Sequence, residues 1–110
     1  MASKINRQTF EVADVNDHIP TKDNPIVHGE VILVVEGGWV FQGYATEIDD
    51  RVILTDSCTI IKWGTDAGLE QLGGEGPRES TTLGVRTPLR MVPRDKVTFA
   101  VYCDAKTWAR

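Results

Sequence analysis

The stretch IVHGEVILVVEGGWVFQGYATEIDDRVILTDSCTIIKW, Ile26 to Trp63, decides the fold. It holds four apolar runs, Ile26 to Val35, Trp39 to Ile48, Arg51 to Leu54 and Cys58 to Trp63, with the turn signals Gly37-Gly38 and Asp49-Asp50 between them. Short apolar runs joined by tight turns specify an antiparallel β-meander. Glu30 to Val35 is apolar on both alternating sets, Val31, Leu33 and Val35 on one face and Ile32 and Val34 on the other, which predicts burial on both faces. In the next run Val40, Tyr44 and Ile48 oppose Trp39, Phe41 and Ala45, and Gly43 marks a bulge or a close approach of backbone. Arg51 to Thr55 and Thr59 to Trp63 read as a tight pair around Asp56-Ser57. Lys96 to Cys103 alternates Val97, Phe99 and Val101 against Thr98, Ala100 and Tyr102 and closes the sheet. The predicted class is mainly β: a small antiparallel meander or SH3-like barrel, with one short helix and a long irregular loop.

Outward from this core, residues 1–25 form a polar N-terminal arm whose apolar positions, Phe10, Val12, Val15 and Ile19, are too sparse to fix a periodicity. Residues 26–110 form a single β-rich domain, with an irregular loop at 64–95. Within that loop, Asp66 to Leu72 could make two helical turns, capped by Asp66 and stopped by Gly73-Gly74. Beyond the glycines, the Gly and Pro content argues against regular structure. A connection that long in a small domain is expected to serve a function or to lack order.

The chain has 110 residues and a formal net charge of −4, so it presents no overall basic field for duplex nucleic acid. No apolar h-region opens it and no run is long enough to cross a bilayer, which predicts a soluble, cytoplasmic protein. Cys58 and Cys103 lack the spacing of a zinc framework and read as reduced core thiols. His18 and His28 are not spaced as a metal pair and read as surface or loop residues. No metal or cofactor is expected.

The runs GYATEIDDRVILTDSCTIIKW, then GLEQL, a Gly/Pro-rich stretch and a closing VTFAVYCDA resemble a group of small uncharacterised β-rich bacteriophage proteins. In those, a strand pair ends in a Trp-containing segment, an L-x-x-L turn follows, and the last strand runs into a Cys near the C-terminus. The resemblance covers Gly43 to Ala105 and implies fold and phage origin. It carries no catalytic residue across. By analogy of class it implies an accessory factor against host defence, acting in the host cytoplasm, such as a sponge for nucleotide immune signals.

Two residue types could carry such binding. Arg78, Arg86, Arg90 and Arg94 all fall in the irregular segment among glycines and prolines. Guanidinium forks pair with phosphate, and glycine exposes backbone N–H groups to an anion. The alternative is a solvated loop whose arginines pair with Glu75, Glu79 and Asp95. Trp39 follows the Gly-Gly turn and Trp63 ends a strand, so either could stack on a base, the alternative being core or interface packing. Trp108 reads as a terminal packing residue. Asp49-Asp50 is a turn, Ser57-Cys58 lacks the context of a nucleophile elbow, and Gly73-Gly74-Glu75-Gly76 is not a phosphate loop, so no enzyme is expected.

The predicted function is non-enzymatic sequestration of a nucleotide-derived host signal. An inhibitor docking a host defence protein and a small phage structural component are the alternatives. The doubly apolar strands Glu30 to Val35 and Trp39 to Ile48 further predict a symmetric homo-oligomer. Trp39 and Phe41 would lie in its interface and residues 73–95 at the subunit boundary.

Overall fold

The structure, a computed structural model, describes residues 20–64 and 68–108. Most of the N-terminal arm and the Asp66 cap lie outside them. The elements are β1 (Ile26–Val35), β2 (Trp39–Ile48), β3 (Arg51–Lys62), α1 (Leu69–Glu75), β4 (Thr82–Leu83), β5 (Thr87–Pro93), a 3-10 turn (Arg94–Lys96) and β6 (Val97–Tyr102). They form one antiparallel sheet in the order β4-β3-β2-β1-β6, with β5 pairing the same edge of β3 as β4. The mainly-β meander expected from the sequence is present. The sheet curls until its edge strands β5 and β6 are joined by only three residues, which makes an open barrel rather than a closed one. Two hydrogen bonds fix that link, Arg94 N–H to Asp50 O (2.7 Å) and Glu36 N–H to Lys96 O (2.8 Å).

Strand alternation divides the apolar residues into two cores. Val31, Leu33, Phe41, Ala45, Val52, Leu54, Val92, Val97 and Ala100 fill the barrel. On the outer face Ile32, Val40 and Ile60 pack under Leu69 and Leu72 of α1 and under Trp108, whose indole N–H donates to the carbonyls of Leu72 (3.2 Å) and Gly73 (3.1 Å). Burial of β1 on both faces is therefore satisfied within one chain. This removes the part of the oligomer expectation that rested on β1, and Phe41 is a core residue rather than an interface residue.

Four local expectations are corrected. Arg51 to Lys62 is one continuous strand of 12 residues, not a pair: Asp56 adopts φ 53°, and the register against β2 shifts so that Asp56 and Ser57 bulge opposite Gly43. Residue 43 must be glycine there, because a Cβ would lie 2.7 Å from the Ser57 Cβ. Helix α1 runs through Gly73-Gly74 and ends at Gly76 (φ 85°); a Cβ at residue 73 would crowd Val101 and the Tyr102 carbonyl, so Gly73 lets the helix sit on β6. The segment expected to be irregular contains β4 and β5. Pro88 and Pro93 are tolerated because β5 is an edge strand that pairs only with β3 among the described residues. The first strand also begins earlier than Glu30, at Ile26, across a bulge at His28.

Candidate functional site

Residues of β2 at odd positions face the barrel interior, and the first of them, Trp39, stands at the rim. It is 58% exposed, whereas Phe41 is buried beneath it. Their rings are parallel to within 3° with centroids 6.3 Å apart. The Arg90 guanidinium lies over the Phe41 ring, 4.2 Å from its centroid. Arg90 comes from β5 opposite Leu54, a barrel-facing position, which is why its side chain points into the mouth.

Arg90 is held there by the bulge in β3. Its Nε donates to Ser57 Oγ (3.1 Å) and its Nη2 to Thr87 Oγ1 (3.3 Å). Ser57 is fully buried, and its place facing the barrel depends on the extra residue at Asp56. The Asp56 carbonyl in turn accepts from Arg86 Nη1. Two of the four arginines singled out from the sequence thus converge on one bulge, beside one of the two tryptophans.

Trp63 leaves β3 at the same end of the β2–β3 hairpin at which Trp39 stands, and Ile61 and Trp63 are both exposed there. The Trp63 carbonyl accepts from the Thr81 hydroxyl (2.6 Å), and that oxygen accepts from the Arg78 amide (2.9 Å). The Arg78 side chain is exposed and pairs with Glu75 (3.5 Å), as the solvated-loop alternative has it. Trp39, Phe41 and Arg90 therefore form one cluster, Arg86 is bonded to the bulge that holds Arg90, and Trp63 leaves β3 at the same end.

Arg94 is separate. It belongs to a polar chain at the β2–β3 turn end, where its Nε lies 2.9 Å from Glu47 Oε2. Glu47 Oε1 lies 3.1 Å from His28 Nε2, and His28 Nδ1 is 3.2 Å from the Tyr102 hydroxyl. The His28 side chain is 3% exposed, so the expected surface histidine is in fact a buried partner of a carboxylate. Burial acts to raise the Glu47 carboxyl. The His28 hydrogen bond and the charge and hydrogen bond of Arg94 outweigh it and hold the group below its ordinary value.

His28 turns inward because β1 is bulged at that point. Val27 pairs with Thr46 and Gly29 (φ 85°) with Ala45, leaving His28 as the extra residue, outside the alternation. Sequence reasoning missed this group, whose four members lie on β1, β2, the 3-10 turn and β6. The one local signal was Gly29 after the histidine, the residue type that a bulge recruits.

Elsewhere on the outer face, Val27 of β1, Tyr44 of β2 and Leu89 and Met91 of β5, across β3 from them, are exposed beyond the part covered by α1 and Trp108. Among the described residues no group of three or more His, Cys, Asp or Glu side chains could hold a metal ion, and no helix is long and apolar enough to cross a membrane. Comparison of the chain with protein-family models, curated proteins and solved structures gave no match.

Proposed function

We propose that this chain is a non-enzymatic binding protein whose barrel mouth takes a nucleotide-derived ligand, and that it acts as a phage accessory factor sequestering such a signal of host defence. The observation that carries the reading is the stack at the rim: an exposed indole, a parallel phenyl ring and a guanidinium held over that ring. An exposed indole offers a face to a base, worth about 1–3 kcal/mol per stacked base. A guanidinium fixed by two hydroxyl oxygens keeps its other N–H groups for an anion, and its order is established before the ligand arrives. Arg86 adds a second positive charge beside it, and Trp63 a second aromatic face at the same end. The phage setting is supported by the sequence motifs alone.

Isothermal titration of the purified protein with a panel of cyclic dinucleotides, cyclic ADP-ribose-type molecules and adenine mononucleotides tests this. Saturable heat with at least one member, returned unaltered on denaturing the protein, is expected. Absence of heat and of thermal stabilisation across the panel sinks the reading.

A homo-oligomer belongs to the same proposal, with its contact moved to the uncovered outer face. Val27, Tyr44, Leu89 and Met91 give that face an apolar centre against which the same face of a second copy can pack.

A further inference from the structure

Tyr102, His28 and Glu47 form an unbroken hydrogen-bonded chain that runs from the surface to a buried carboxylate. The nucleotide reading makes no use of it. The carboxylate sets the direction of the hydrogen between it and the ring. Glu47 is ionised beside Arg94 and can only accept, so His28 Nε2 carries a hydrogen and donates to it. In the neutral ring Nδ1 is then the lone-pair nitrogen, and the Tyr102 hydroxyl donates to it. A nucleophile within reach of a base, with the base oriented by a third group, is the general arrangement that activates a hydroxyl.

We propose that Tyr102 is a nucleophilic phenol, and that this site accepts an acyl group from an activated acyl donor. In the step the Tyr102 oxygen forms a bond to the acyl carbon and the bond to the leaving group breaks with its electron pair. The phenolic proton passes to His28 Nδ1. Glu47, neutralising the imidazolium through Nε2, positions the ring and stabilises the charge that forms on it, and Arg94 keeps Glu47 ionised. Tyr102 touches the donor, while His28 takes the proton from a buried place that no donor needs to enter.

The protein contains its own control. Tyr44 is 41% exposed and Tyr102 47%, so a reagent meets the two rings about equally, but only Tyr102 has an imidazole on its hydroxyl. The experiment treats the folded protein with N-acetylimidazole at neutral pH and measures acetylation of each tyrosine by peptide mass spectrometry. Each rate is divided by the rate for the same residue in the guanidinium-unfolded chain. Reversal by hydroxylamine identifies phenyl esters. Tyr102 is expected to react about a hundredfold faster than Tyr44, the low end of what a positioned base contributes. The substitution His28→Gln should bring the ratio close to one.

A purely structural network would do the opposite, since a phenol engaged in a hydrogen bond that no proton transfer uses reacts more slowly than a solvated one. Equal rates in the wild-type protein, or a slower Tyr102, overturn the proposal. So does a fast Tyr102 that stays fast in His28→Gln. If that variant does not fold, the wild-type ratio alone decides.

Discussion

Arg90 sits over the ring of Phe41, its guanidinium carbon 4.2 Å from the ring centroid, although the two residues come from strands that are not paired with each other. The contact spans the inside of the barrel, so it joins the wall that carries Trp39 to the edge strand that Arg86 leads into. A cation over an aromatic face contributes about 0.5–2 kcal/mol, depending on desolvation. The rim is thus ordered by its own packing.

Separating ligand binding from folding is accordingly possible at this rim. Trp39→Ala removes an exposed ring and should shift the urea midpoint by no more than about 0.5–1 kcal/mol equivalent, yet abolish the titration heat of any nucleotide that binds. Arg90→Lys keeps the charge but loses the planar fork and the stack, and should weaken that ligand at least about tenfold. Unchanged affinity in both variants would move the binding site elsewhere.

Gly43→Ala tests the bulge. The added Cβ would meet the Ser57 Cβ at 2.7 Å and the Ser57 Cα at 3.1 Å, with backbone that cannot step aside. The expected loss is about 1–3 kcal/mol, by the cost of overpacking, together with displacement of Arg90 from Ser57. Chemical denaturation gives the first quantity. Loss of ligand heat in a still-folded variant gives the second.

The Glu47 cluster predicts how acid acts on the fold. Its carboxyl titrates lower in the folded than in the unfolded chain, so the unfolded chain takes up the proton first. The stabilisation is complete above the unfolded value of about 4.3 and is lost as pH falls through the lower folded value. Glu47→Gln should cost about 3 kcal/mol at pH 7, since it leaves the buried partners without their counter-charge. The gap between variant and wild type should narrow steadily below about pH 4.3. A gap that stays constant down to pH 3 would show that the carboxylate charge is not what stabilises the cluster.

Trp108 is 3% exposed and closes the second core over Ile32 and Val40. Replacing it by alanine should cost about 3–5 kcal/mol and open apolar surface to a dye such as anilinonaphthalene sulfonate. Bright dye binding with a lowered melting temperature is the expected pair of observations. A variant as stable as the wild type would mean that α1 covers that face unaided.

For the oligomer, Leu89→Asp and Met91→Asp place charge on the uncovered face without touching either core. Light scattering at micromolar concentration should report a dimer mass for the wild type and a monomer mass for both variants. A wild-type monomer removes the oligomer and leaves the rim proposal standing.

The features legible in the sequence were those set by local alternation. The double burial of Val31 to Val35, the close contact at Gly43 and the packing role of Trp108 follow from periodicity and residue size alone. What was misread depended on partners distant in the chain. Asp56-Ser57 looks the same as a turn or as a bulge, and only the β2 register distinguishes them. Gly73-Gly74 reads as a helix stop until β6 is seen to pack where a side chain would stand. Pro88 and Pro93 argue against a strand unless it is an edge. The site divides in the same way. The rim tryptophans were visible as large rings beside turns, whereas the inward turn of His28 towards Glu47 comes from a bulge that no composition announces.

The three-residue link between β5 and β6 has a kinetic meaning. The β1–β2 and β2–β3 hairpins pair neighbours in the chain and can form early, at little entropic cost. The β1–β6 ladder, with Val31 opposite Tyr102, must wait until nearly the whole chain has been drawn together. Docking of β6 on β1 is therefore expected to be the late, rate-limiting event of folding. A chain that stalls before it leaves the Val31 to Val35 edge open to another stalled chain, so misassembly during synthesis should begin at β1.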